Sequence, residues 1–346
     1  MAALLKMKKR SNVVILGDGR IGAAVLYYLK KYAVAKKAEF FLKEKQVRHC
    51  DILIGALPGE LGEKGLELAL RHKKNLIDIS DIDPPFYLQA RKEIKKRNIT
   101  VIPGCGFSPG LVNFILGNEF LNNETVLEVE VKSGSLSPKE CHFPFLWCFE
   151  DLVLEHRIPS WQLIKGKKIK FPPFSNYQTE SFFGIKAESY FCASGFENLF
   201  SAKNAFIKNF TYRVIRPLGF KAFFQFLSNE GFLKKENFAA TKRIVESQKE
   251  ENLTVAQITV LTPKQKTVWL MKSLAKKNEP LSSMQKITAS VPAVIAKLFL
   301  ENRLARKGLV FMEDLGKDSA VFTRLLKEIR KEGIIIRKVQ KIKAHD

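Results

Sequence analysis

Two stretches of this 346-residue chain combine residue types and spacings that do chemistry where strands end in a crevice. The first is Gly17-Asp18-Gly19-Arg20-Ile21-Gly22, set between the apolar run 13–16 and a helical repeat of Ile21, Ala24, Val25, Tyr28, Leu29 and Tyr32. Strand, glycine turn and helix in that order make a phosphate cradle. Gly17 permits the tight turn, Gly19 lets a pyrophosphate approach the backbone, and Gly22 lets helix pack on strand. The helix head, Arg20 and Ile21 included, offers N–H groups and a positive dipole end. The ligand for such a cradle is a dinucleotide. The second stretch is Pro103-Gly104-Cys105-Gly106-Phe107-Ser108-Pro109-Gly110, which follows a strand at 100–102; another strand, 75–80, ends on Asp81 and Asp83. Carboxyl ends of parallel strands border the ligand crevice, so Asp81 can hold or move a proton there, and Cys105 sits at the centre of the neighbouring loop. Asp83 fits better as a helix cap before Pro84.

These groups need a scaffold, and the pattern supplies one. Strands at 39–42, 51–57, 75–80 and 100–102 alternate with helices at 61–72 and 84–97, which reads as a Rossmann-type doubly wound parallel sheet in the α/β class. The 51–57 run closes on Ala56-Leu57-Pro58, placing those residues beside the cofactor crevice. Residues 43–50 are too few for a full parallel crossover, so the first half of the sheet is abbreviated. The second strand ends at Lys43, followed by Glu44 and Lys45. Lys43 suits a 2′-phosphate and favours NADP, while Glu44 can reach a ribose, so NADP and NAD both stay open. Alternating patterns at 126–132, 164–169, 253–262 and 267–271 read as antiparallel strands, making an inserted α+β mixed-sheet domain. The expected division is a dinucleotide-binding domain over 1–122, completed by 284–346, and a substrate-binding and dimerisation domain over 123–283.

Composition narrows the classes. At 46% hydrophobic the chain can bury a sizeable core, and no run is long and apolar enough for a membrane span, so cytoplasmic location with no membrane partner is expected. The formal charge of +23 would fit a nucleic-acid partner, but the lysines spread over nearly every segment, so nucleic acid is not expected. The five cysteines form no C-x-x-C pair, which argues for reduced thiols; Cys141, His142, Cys148 and His156 match no common zinc spacing, so no metal is expected.

Taken together, GALPGELGEKGLELAL, NLIDISDIDP and VIPGCGFSPGLVNFILG, in that order behind a glycine turn, resemble the saccharopine dehydrogenase family. EHRIPSWQLIKGKKIKFPPF resembles a further family segment and places Arg157 on its arginine, with His156 and Ile158 departing from the usual neighbours. TYRVIRPLGFKAFFQFLSNEGF places Arg213 on a second arginine, and ITASVPAVIAKLFLENRLARKGLVFMEDLG resembles the segment returning to the nucleotide domain. The resemblance implies hydride transfer between NAD(P) and the carbon of a C–N bond in lysine or a lysine-derived amino acid. It implies a homodimer, Asp81 and Cys105 at the catalytic centre, and Gly106, Phe107, Arg157 and Arg213 toward the substrate. Guanidinium geometry allows bidentate carboxylate binding. The abbreviated crossover and the altered neighbours of Arg157 keep a second class in play, a non-catalytic dinucleotide-binding or redox-sensing homologue.

Overall fold

The computed structural model describes residues 12–342 apart from 34, 36, 81, 140–147, 194, 202–206, 248–249 and 305. Asp81, Cys141 and His142 therefore lie outside the described residues. The chain divides into two compact units, Met1–Asn118 with Thr288–Glu332, and Glu119–Ile287 with Gly333–Asp346.

The first unit opens with β1 (Asn12–Leu16), whose Val13, Val14, Ile15 and Leu16 are all buried, as a strand covered on both faces requires. There follow α1 (Arg20–Lys31), β2 (Lys37–Phe40), α2 (Glu44–Arg48), β3 (Ile52–Gly55), α3 (Gly59–His72), β4 (Asn75–Asp78), α4 (Pro84–Gln89), α5 (Arg91–Lys96) and β5 (Thr100–Ile102). The five-residue α2 is the abbreviated crossover. It suffices because the chain needs only to step from β2 past β1 to β3. α6 (Val112–Asn122) leads toward the second unit.

There the chain forms β6 (Glu128–Leu136), α7 (Phe149–Glu155), the hairpin β7 (Ser160–Ile164) and β8 (Lys167–Phe171), then β9 (Gln178–Phe182), β10 (Ile185–Phe191) and β11 (Asn209–Pro217). After α8 (Phe220–Asn229) and α9 (Lys235–Glu246), β12 (Asn252–Leu261) and β13 (Gln265–Ala275) make a long hairpin. α10 (Ser283–Leu300) carries the chain back to β14 (Gly308–Leu309), α11 (Met312–Gly316) and α12 (Ser319–Arg330). The last strand, β15 (Ile335–Ile342), is not part of the first unit, where 284–346 was expected to lie as a whole. It pairs antiparallel with β13, Met271 opposite Ile336, because its only buried side chain within the strand, Ile336, continues that sheet's inner face.

The first sheet runs β14-β5-β4-β3-β1-β2, every pair parallel, over a core that includes Val14, Leu53, Leu76, Tyr87 and Val101. The second runs β15-β13-β12-β6-β11-β10-β9 with β7 and β8 alongside; β6 and β11 are parallel and the other pairs antiparallel. Among the described residues no helix is long and apolar enough to cross a membrane.

Candidate functional site

Strand order reverses at β1, with β2 on one side and β3 on the other, and a crevice opens at such a switch point. The glycine turn lies there. Gly17 has φ +102°, and a Cβ on it would sit 2.3 Å from the carbonyl oxygen of Ala56. A Cβ on Gly22 would sit 2.0 Å from the oxygen of Gly17, so helix α1 rests directly on the turn. Gly19 is different: among the described residues nothing beyond its two chain neighbours lies within 4 Å of its Cβ position. Two glycines are required by the protein's own packing, and the third leaves space. Gly19 heads α1 with no side-chain cap, and the helix's first N–H groups have no acceptor within the helix. Opposite, Ala56 N donates to Leu16 O at 2.8 Å and Leu57 N to Ser80 Oγ at 3.3 Å, which fixes Ala56, Leu57 and Pro58 at the end of β3.

At the far end of the crevice, Lys43 is exposed and forms no ion pair among the described residues. Glu44 is engaged elsewhere. Its Oε1 meets His72 Nε2 at 2.6 Å and Arg71 Nη1 at 3.2 Å, and these partners hold its carboxyl below the usual range. The acidic group that would select an unphosphorylated ribose is thus turned onto α3.

The loop after β5 is irregular, with Ser108 extended and Gly110 at φ +132°. Asp78, fully buried beneath it, accepts from Ser80 N at 2.9 Å and Tyr87 OH at 2.8 Å, and its main-chain oxygen accepts from Cys105 N at 2.8 Å. Burial pushes the Asp78 carboxyl up. Cys105 holds this loop by its backbone, but its side chain is fully buried, donating to Ile102 O at 3.2 Å beside Met312 Sδ at 3.7 Å. Burial and the Asp78 charge push the thiol well above its ordinary range, the opposite of what a proton carrier or redox-sensing thiolate needs. Phe107 is likewise 4% exposed, and Gly106 packs within 3.1 Å of Pro109 O at its Cβ position. Asn113, whose Oδ1 accepts from Gly110 N at 2.9 Å, also contacts Glu313, whose carboxyl burial raises to about 7.

In the second unit the two sequence-selected arginines differ. Arg157 is exposed just past α7, with Nη2 3.4 Å from Leu233 O. Arg213 is 2% exposed on β11, donating from Nε to Ser189 Oγ at 3.1 Å and from Nη2 to Asn176 O. Beside it Lys132 Nζ pairs with Glu180 Oε2 at 2.5 Å, so this face of the sheet carries a network whose charges already answer one another.

A third arginine, not selected from sequence, lies on the opposite face. Arg216 is 2% exposed and pairs with Glu155. His156 sits against them with Nδ1 2.8 Å from Leu152 O and Nε2 2.9 Å from Tyr190 OH, ringed by Phe174, Phe220 and Phe224. Burial and the Arg216 charge hold the imidazole well below its ordinary pKa, so it is neutral. Glu155, His156 and Cys192 lie within 4.8 Å of one another, a spacing that could ligate a metal, but the cation they face is the Arg216 guanidinium and both imidazole nitrogens are engaged. The sequence signal for this cluster was the phase of Tyr212, Val214 and Arg216, which puts the arginine on a buried face.

The model of the saccharopine dehydrogenase C-terminal domain matches residues 106–334. Comparison with curated proteins yields no match. Among solved structures, an apo saccharopine dehydrogenase (L-Glu forming) from Saccharomyces cerevisiae is 16% identical with a TM-score of 0.74, covering 96% of this chain and 100% of that one. A dehydrogenase from Clostridium difficile is 12% identical with a TM-score of 0.40, covering 93% and 100%. A UDP-N-acetylglucosamine 3-dehydrogenase from Acidithiobacillus ferrooxidans is 9% identical with a TM-score of 0.43, covering 93% and 96%. The first of these establishes a shared fold, and the other two carry no further argument. Because the matched residues make up well over half of the chain, and run through the inserted sheet into the returning helices, it belongs to the saccharopine dehydrogenase family of oxidoreductases.

Proposed function

We propose that this protein is an NAD(P)-dependent oxidoreductase acting on the C–N bond of lysine or a lysine-derived amino acid, with NADP preferred. The observation that carries the cofactor half is the glycine turn, where Gly17 and Gly22 are closed by backbone and Gly19 alone is open. The residues fit a dinucleotide: the head of α1 for the pyrophosphate, Ala56 to Pro58 along its other side, and Lys43 for a 2′-phosphate. A bound nicotinamide supplies the hydride chemistry. The protein's part is to place the amine carbon, hold its carboxylates and handle the amine proton, the last assigned to Asp81. Arg157 is the preferred carboxylate ligand, because the Arg213 guanidinium is already committed to Ser189 and Asn176. Cys105 is given a backbone role in the loop rather than one in proton transfer.

Two substitutions test the assignments. Lys43→Ala is expected to weaken NADPH about tenfold while leaving NADH unchanged, as read by cofactor fluorescence titration. Equal loss for both cofactors would remove the 2′-phosphate role. Arg157→Met is expected to raise KM for the amino acid by tenfold or more with dinucleotide affinity unchanged. Weakened cofactor binding at unchanged KM would reassign it to structure.

Turnover itself is tested by following reduced-cofactor formation with lysine and with saccharopine. Binding of NADPH without turnover on either amine would favour the second reading, a non-catalytic dinucleotide-binding homologue, which the internally satisfied Arg213 already supports. Homodimerisation through the second unit belongs to the same proposal. Val339, Ile335 and Leu274 are exposed on one face of its sheet, and sedimentation of the full chain reads the assembly state.

A further inference from the structure

The turn that carries Lys43 is held more completely than an exposed turn requires. Phe41 N still belongs to the sheet, donating to Ile15 O of β1 at 2.8 Å. Beyond it the ladder ends, and the next two backbone amides both turn to one side chain: Leu42 N lies 2.6 Å and Lys43 N 3.0 Å from Gln46 Oε1. Gln46 Nε2 in turn donates to Phe40 O at 3.1 Å. One side-chain amide thus ties together the backbone from Phe40, the last residue of β2, to Lys43, which is fixed in an extended conformation at φ −154° and ψ 152°.

A glutamine in the first turn of a helix commonly caps it by accepting from the residue at its head, and the bond from Lys43 N is of that kind. Capping explains neither the bond from Leu42 N nor the one to Phe40 O. Leu42 is 83% exposed, so packing of its own side chain does not hold it. The reach of Gln46 depends on the abbreviated crossover. Because α2 starts at Glu44, directly after Lys43, its first turn lies within one side chain of the end of β2. A longer connection would have to order more residues to fix the same lysine.

The same glutamine bears on the local charge. Glu39 on β2 pairs with Lys37 Nζ at 2.7 Å, and that bond, with a further one from Gln46, holds its carboxyl below the usual range. Glu44 is drawn to Arg71 and His72. Both carboxylates next to Lys43 along the chain therefore have partners elsewhere, while Lys43 forms no ion pair among the described residues. Its ammonium is left to an incoming anion.

Given the NADP preference proposed above, we infer that Gln46 is the positioning residue for cofactor selection: its side-chain amide holds the backbone of Leu42 and Lys43 so that the lysine meets the 2′-phosphate, acting through Lys43 rather than on the cofactor itself. The test titrates NADPH and NADH into the full chain by cofactor fluorescence for wild type, Gln46→Met, Lys43→Ala and the double variant. Methionine keeps the length and bulk of glutamine without its hydrogen bonds. A released turn that keeps Lys43 in place about a fifth of the time weakens NADPH about fivefold, less than the roughly tenfold of Lys43→Ala. NADH affinity should stay within about twofold of wild type, because its ribose has no 2′-phosphate to meet. In the double variant the loss should equal that of Lys43→Ala alone, since a residue acting only through Lys43 then has nothing left to position.

Should Gln46→Met melt earlier than wild type, the ratio of the two affinities, measured well below its transition, remains the readout, because loosening of α2 or β2 alone would weaken both cofactors alike. Equal losses for NADPH and NADH, unchanged NADPH affinity, or losses that multiply in the double variant would overturn the role of Gln46 while the NADP preference stands. A wild-type protein that binds the two cofactors equally would overturn that preference and the role of Gln46 with it.

Discussion

Gly19→Ala is expected to leave the melting temperature within a degree or two of wild type, yet to lower dinucleotide affinity by about tenfold to hundredfold. The backbone there is extended, at φ −65° and ψ −174°, a conformation alanine adopts freely, and among the described residues no atom beyond its two chain neighbours lies within 4 Å of the new methyl group. Under the proposed function, what the methyl would meet is the pyrophosphate. Gly22→Ala should behave otherwise, because its Cβ would lie 2.0 Å from the oxygen of Gly17 and helix α1 would have to lift off the turn. Stability should fall by about 3 kcal/mol, with binding lost alongside. Thermal melting and NADPH fluorescence on the two variants separate these outcomes. A Gly19→Ala protein that binds NADPH as wild type does would show that the space at residue 19 is not the phosphate site.

Glu155→Gln carries the second large effect. It leaves the Arg216 guanidinium buried at 2% exposure without its carboxylate, a situation that costs roughly 3–5 kcal/mol, or a melting shift on the order of 10 °C. Arg216→Met alone should cost a similar amount by removing the guanidinium that pairs with Glu155. The double replacement Glu155→Met with Arg216→Met should recover most of the loss, since apolar side chains of comparable volume often replace a buried pair without penalty. Chemical denaturation of the four proteins tests this. Additive losses in the double variant would mean that the two residues act through separate partners and that the cluster is not one coupled unit.

The glycine turn was legible in the sequence residue by residue because each glycine there answers a local demand, of backbone angle or of close approach, that no other residue meets. The parallel sheet was legible for a related reason: strands such as Val13 to Leu16 and Ile52 to Gly55 are buried on both faces, so their apolar runs are unbroken and too short for a buried helix. The Glu155–Arg216 pair was not, because its members are 61 positions apart and meet only once α7 packs on the sheet. Glu44 illustrates the same limit. Its place after β2 suggested a ribose partner, but its contacts with Arg71 and His72 depend on where α3 ends. The last strand was misplaced because residues that follow the returning helices were assigned with them over 284–346, and nothing local says which sheet edge such a strand joins.

That placement bears on the order in which the protein can be completed. β13 alternates buried Thr267, Trp269, Met271 and Ser273 with half-exposed neighbours, and its outer edge is closed only by Ile335 to Ile342. During synthesis this edge stays unpaired while more than fifty further residues, including all of α10 and α12, are still being added. An open, strongly β-forming edge recruits other chains. A chain clipped before Ile335 would therefore keep its glycine turn and parallel sheet intact, while its second sheet is a template for aggregation.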